Sequence, residues 1–216
     1  SKIKLEREEY KMGNENIIFR KIKKSDYKAL EKIIKYTWNY DKFCSEKVAN
    51  SLSKLYLASC LTNQNFTCVA VKDDVPVGII MGKNENKSQF NLFNLLHQFF
   101  SIVEVFMTKE GRKVLSLLSC YETINNDLKA NCGRKFDGEV AFFAVDSEVR
   151  GFGIGKQLFL KFKEYMSKEN IKTFYLFTDT TCNYGFYDSQ GMKQLATKKH
   201  HLKLKKLDVD FFIYAN

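Results

Sequence analysis

Apolar and polar positions alternate in two rhythms along this chain. Ile17-Ile18-Phe19-Arg20-Lys21-Ile22 is a short β-branched and aromatic run that predicts a first strand. Ser25-Asp26 is a helix-start signal, and Ala29, Leu30, Ile33, Ile34 and Tyr36 then recur at helical spacing. The pattern breaks between residues 39 and 43. Ser45 then opens a second helix with Val48, Ala49, Leu52, Leu55, Tyr56 and Ser59 on one face. Residues 67–71 and 75–81 flank Lys72-Asp73-Asp74 and read as a β-hairpin. Pro76, the only proline, sits near the start of its strand, where a missing donor is tolerated.

Residues from about 84 to 137 interrupt this order. A structureless loop of that length is out of keeping with a compact domain. Leu92, Phe93, Leu95, Leu96, Phe99, Phe100, Val103 and Phe106 predict one amphipathic helix. Leu115, Leu117, Leu118, Tyr121, Ile124 and Leu128 predict another, with a break at residues 108–111. Apolar stripes this long must pack on the core or on a second subunit, so the segment is an inserted helical pair: a structural cover, a lid or a homodimer surface. Beyond it, residues 140–145 are an apolar strand, 154 onward a helix, 173–178 a strand, and 193–200 and 210–214 the last strands, with strand-like alternation also in 200–205. The expected fold is α/β: one domain over residues 1–216, with a mixed, twisted sheet of about seven strands flanked by helices.

Composition narrows the class. The chain has 216 residues, of which 44% are hydrophobic, enough for a sizeable core. No apolar run approaches a membrane span, and the first residues lack an apolar signal region, so a cytoplasmic protein is expected. The six cysteines form no C-x-x-C pair and there are three histidines, which argues against a metal site and reads as reduced thiols. The net charge of +10 suits a polyanionic ligand. No nucleic-acid reader motif accompanies it, so phosphates of a small ligand are the better match than a nucleic acid.

The chemistry concentrates between residues 139 and 192. The strand at 140–145 runs through Asp146-Ser147-Glu148 into Arg150-Gly151-Phe152-Gly153-Ile154-Gly155-Lys156 and then a helix. A strand feeding a glycine-rich turn at a helix N-terminus is a phosphate-binding device, because free amides and the helix dipole point at whatever lies above. The spacing excludes two versions of it. The glycines alternate instead of following G-x-G-x-x-G, and Gln157 follows Gly155-Lys156 where a P-loop needs Ser or Thr. Further on, Asn183, Phe186-Tyr187 and Gly191-Met192 follow the next strand.

This order of strand, Arg-x-x-Gly-x-Gly, helix, strand, Asn…Phe-Tyr…Gly-Met resembles the GCN5-related N-acetyltransferase (GNAT) superfamily. The resemblance implies acetyl-CoA as co-substrate, no metal, and transfer of the acetyl group to a small-molecule or peptide amine in a ternary complex. It implies that Arg150, Gly151, Gly153, Ile154, Gly155 and Lys156 cradle the pyrophosphate. Phe143 and Val145 would offer backbone groups to the pantetheine arm, Val145 polarising the acetyl carbonyl, and Asn183 would touch the cofactor. Glu139 matches a family general base and Tyr187 the acid for the departing thiolate. Trp38, Tyr40 and His97 are candidates for the acceptor pocket. The rival reading is a non-catalytic acyl-CoA-binding or regulatory module. A covalent route through Cys182 lacks a nearby His or Asp partner in sequence.

Overall fold

The structure is a computed structural model and describes residues 8–12, 15–87 and 92–216. Its strands are β1 (Glu8–Met12), β2 (Glu15–Arg20), β3 (Phe66–Lys72), β4 (Val75–Asn84), β5 (Gly138–Val145), β6 (Phe174–Asp179), β7 (Lys193–Leu202) and β8 (Leu207–Ala215). Its helices are α1 (Tyr27–Thr37), α2 (Glu46–Thr62), α3 (Leu92–Phe106), α4 (Lys109–Asn131), α5 (Ile154–Lys168) and α6 (Gly185–Ser189). The strands form one mixed sheet in the order β1-β2-β3-β4-β5-β6-β8-β7. All pairs are antiparallel except β5 with β6. The expected α/β sheet flanked by helices is present. The strand not anticipated from sequence is β1, which forms a hairpin with β2.

Both faces of the sheet centre are covered, as the two-sided apolar character of β3 requires. Phe66, Cys68 and Ala70 face α5 and pack with its Leu158, Phe159 and Phe162. Val69 and Val71 face the other way, against Leu30 and Ile34 of α1 and Leu52 of α2. Towards the C-terminal strands, α4 sets Leu117, Ile124 and Leu128 on Val209, Phe211 and Ile213 of β8. The stretch between β4 and β5 forms two helices, but they differ. The apolar face of α4 is buried, whereas much of that of α3 is exposed. Thr108 caps α4 by accepting from the Gly111 amide at 2.8 Å.

Two start signals are used differently from their simplest reading. Asp26 precedes α1, yet its carboxylate accepts from the Lys23 amide at 2.7 Å and pairs with both terminal nitrogens of Arg20 at 2.7 and 2.8 Å. Ser45 precedes α2, but its hydroxyl donates to Glu110 of α4 at 2.5 Å. A tertiary ion pair and a contact between helices outcompete the local caps. The alternation at 200–205 also ends early: residues 203–206 form the β7–β8 turn, with Lys206 at φ 50°.

The feature that shapes the site is a β-bulge on β5. Met81 pairs with Phe142 but Gly82 pairs with Val140, so Ala141 is the extra residue. Side chains therefore change face: Val140 and Phe143 both pack towards α5, and Ala141 and Phe142 both towards α1 and α2. Opposite the bulge, α5 lies directly on the strand at Gly82, where an added Cβ would stand 2.7 Å from the fully buried Phe162 ring. Gly82→Ala is therefore expected to push α5 off the sheet and cost about 1–3 kcal/mol of stability. Urea unfolding monitored by circular dichroism measures it; an unchanged midpoint would show that the helix accommodates the methyl group freely.

Candidate active site

β5 and β6 pair only at Gly138↔Phe174 and Glu139↔Tyr175 and then part. From Val140 onward, the edge of β5 facing β6 has no strand partner among the described residues. A polar backbone edge left open between two strands must be met by water or by an extended ligand. The opening belongs to a cavity of about 1510 Å³ that runs from the glycine-rich loop, past the parted strands, to α1, α2 and α4. Its volume exceeds that of ordinary small-molecule pockets and leaves room for two substrates.

At one end, Gly151 and Gly153 take φ values of 87° and 75°, a left-handed backbone natural to glycine. Among the described residues, the amides from Gly151 to Lys156 have no backbone acceptor. A Cβ at Gly151 would meet nothing within 4 Å, so the space above the turn is open. Arg150 fastens the loop by donating from Nε to the Val145 carbonyl at 3.3 Å. Gly155, in the first turn of α5, lies close to the Phe143 ring. Arg150, Gly151, Gly153, Ile154, Gly155, Lys156, Phe143 and Val145 all line the cavity, as do Asn183, Glu139 and Tyr187. The structure thus gathers all eleven sequence-designated residues around one opening.

Tyr187, on α6, packs its ring among Phe186, Tyr214, Phe159 and Phe143, with centroids 5.5–6.5 Å away. Its hydroxyl has no hydrogen-bond partner among the described residues, yet it is not a buried orphan, so it meets the cavity. Burial, and then Cys182 beside it, push the phenol above its ordinary pKa. Such a phenol stays protonated and donates a hydrogen bond well, but it is a reluctant acid towards a thiolate whose conjugate acid lies near 8.5. Cys182 is exposed at the cavity, and its thiol pKa is raised by partial desolvation and by Asp179. A thiol held protonated is a poor nucleophile, which counts against the covalent route.

Glu139 anchors the opposite side. Its Oε2 accepts from the Tyr175 hydroxyl at 3.1 Å, across the last register pair of the two strands. The same hydroxyl lies 3.0 Å from Glu85 and accepts from Lys129 of α4 at 2.7 Å, and Lys129 and Lys83 both pair with Glu85. Burial raises the Glu139 pKa, opposed by the Tyr175 hydrogen bond and Lys83. A carboxylate with an elevated pKa is a better proton acceptor near neutrality than an ordinary one.

Sequence reading did not single out Tyr175, Glu85, Lys83 or Lys129. Tyr175 could have been found from the pairing of the two parallel strands; the others come from separate elements and leave no joint signal in sequence. Trp38 and Tyr40 line the cavity, Trp38 stacking near Tyr56 and Phe142 at 4.8 and 5.5 Å. His97 does not: it sits on α3, outside the lining residues. Lys205, from the β7–β8 turn, reaches in over the rings of Phe43 and Tyr121 at 4.7 and 5.7 Å.

The sequence matches the acetyltransferase (GNAT) family over residues 33–192, and the chain belongs to that family. No curated protein matches it. Among solved structures, it is similar to PH1933 from Pyrococcus horikoshii OT3, at 18% identity over 93% of this chain and 97% of that one, with a TM-score of 0.58. It is also similar to a ribosomal-protein-alanine N-acetyltransferase from Brucella melitensis (15% identity, 92% and 98% covered, TM-score 0.54). An N-acetyltransferase from Staphylococcus aureus Mu50 is a third (14%, 93% and 98%, TM-score 0.54). At these identities the likeness is one of fold. No described helix is long and apolar enough to cross a membrane.

If Glu139 must be ionised for activity, its hydrogen bond from Tyr175 sets where activity is lost in acid. Tyr175→Phe removes a contact that lowers the Glu139 pKa, so that pKa should rise further and the acidic limb of the kcat/KM profile should move to higher pH. Glu139→Gln should abolish that limb. An acidic limb at the same pH in wild type and both variants would show that it reports another group.

Proposed function

We propose that this chain transfers the acetyl group of acetyl-CoA to a primary amine, on a small molecule or a peptide, by direct attack within a ternary complex. The observation that carries the reading is the open β5 edge. It lies beside amides 151–156 that lack backbone acceptors, with a carboxylate on one side of the opening and a phenol on the other. The three parts match the three demands of the reaction. The amides of the loop hold a pyrophosphate, with the α5 dipole adding to the attraction. The edge of β5 takes the pantetheine arm as a partial extra strand, and the Val145 amide polarises the acetyl carbonyl.

Acetyl-CoA supplies the activated acyl group. Glu139, directly or through one water, takes a proton from the acceptor ammonium, leaving the nitrogen lone pair free. The Tyr187 hydroxyl donates to the sulfur as the C–S bond breaks. Its raised pKa suits hydrogen-bond stabilisation of the thiolate more than full proton transfer. Asn183 and Lys156 border the cofactor half, while Trp38, Tyr40 and α4 border the acceptor half.

Two measurements test this. Gly153→Val puts a branched side chain on a left-handed residue at the phosphate-binding turn; calorimetry on the folded variant should show a large loss of acetyl-CoA affinity, and unchanged affinity would sink the loop assignment. Tyr187→Phe keeps the packing and removes the hydroxyl, so kcat with a reactive amine should fall roughly a hundredfold while acetyl-CoA binding stays nearly intact. Coenzyme A binding with no acetyl transfer across a broad amine panel would identify a binding module instead of an enzyme.

A further inference from the structure

The helix α3 is amphipathic, with Asn94, His97, Ser101 and Glu104 on one side and a broad apolar face on the other. Only one side of it is covered. Val105 and Ser101 are buried, and Ser51 and Lys54 of α2 hold its single charged residue, Glu104. On the outer side, Leu92, Leu96, Phe99, Val103 and Phe106 are 39–59% exposed, and Phe100 and Met107 reach 65% and 73%. The spacing of the first five is four, three, four and three residues, the seam of a helix that packs lengthwise on another helix.

We propose that this face pairs with its own copy in a second molecule, the two α3 helices running antiparallel about a two-fold axis near Phe99. Three observations favour that occupant. With Ile102, eight exposed residues present roughly 800 Å², the area each partner gives up in a stable interface and more than a typical monomer leaves open. An axis through Phe99 sets Leu92 against Phe106, Leu96 against Ile102 and Val103 against Leu95, so apolar residues meet apolar residues along the contact, as an isologous pairing requires. The face carries no charge that would be repelled by its own image. A cation, Arg112 of α4, stands over the Phe106 ring at 5.7 Å, at one end of the patch, and the side of α3 opposite the patch is packed on α2 instead of lying in water as the polar face of a membrane-surface helix does. Because α2 and α4 line the cavity, the contact would brace that wall from outside without supplying a residue to it.

Sedimentation velocity on the full chain, from about 1 to 100 µM, tests the pairing. Wild type should be a dimer, and Phe99→Glu should weaken association at least a hundredfold while circular dichroism and thermal unfolding stay those of a folded chain. Should that variant misfold, Phe99→Cys gives a second reading. Facing its copy across the axis, the new thiol should yield a covalent dimer under mild oxidation well above the wild-type background. A wild type that stays monomeric at the highest concentration overturns the proposal, as does a dimer indifferent to both changes. A monomer that binds phospholipid vesicles through α3 would assign the face to lipid and overturn it equally.

Discussion

The rest of the molecule is organised around one failure of pairing. Two parallel strands hydrogen-bond at Glu139↔Tyr175 and no further. In a continuous sheet, the backbone groups of residues 140–145 would be satisfied by β6 and nothing could enter. The bulge at Ala141 prevents this by bending β5, and the close seat of α5 on Gly82 supports the bend from behind. The glycine-rich turn follows directly from the diverging end of β5, so the open edge and the free amides face one volume. A single extra residue in one strand thereby turns a sheet into a cleft.

The electrostatics follow from the same point. Tyr175 is the last β6 residue still paired with β5, so its hydroxyl reaches Glu139 where the strands part. Glu85, at the end of β4, and Lys129, from α4, complete a cluster in which two carboxylates share one phenol and two lysines pair with one of them. Lys83 and Lys129 neutralise Glu85. That leaves Glu139 with a neutral hydrogen-bond donor and, among the described residues, no ion pair of its own, and burial can raise its pKa. Had either lysine paired with Glu139 directly, the carboxylate would be held in its charged form and would take a proton less readily.

Much of this was legible in the sequence because its causes are local. Glycines at 151, 153 and 155 mark a turn wherever they occur, and the order of apolar runs gives the strands and helices around it. The eleven designated residues lie close together in sequence or sit at fixed points of those elements. What escaped is what depends on distant pieces meeting. The Tyr175–Glu85–Lys129 cluster draws on β6, the end of β4 and α4. The Arg20–Asp26 pair overrides a helix cap that sequence alone would have assigned. His97 has the residue type of a site and the position of a bystander, because periodicity fixes which residues share a face but not which face meets the cavity.

The segment between β4 and β5 adds the part that sequence could describe but not position. Its second helix faces two ways at once: Leu117, Ile124 and Leu128 lie on β8, while Tyr121, Asn125 and Lys129 line the cavity. The wall opposite the glycine-rich loop is therefore built from α4, together with Trp38 and Tyr56 and the Lys205 turn. None of these groups belongs to the backbone device at the other end. Substitutions on α4 can change the chemistry of that wall while leaving the loop, the bulge and the open β5 edge as they are. The cleft thus divides into an end fixed by backbone geometry, which tolerates little variation, and an end made of side chains on a separate helix, which is free to vary.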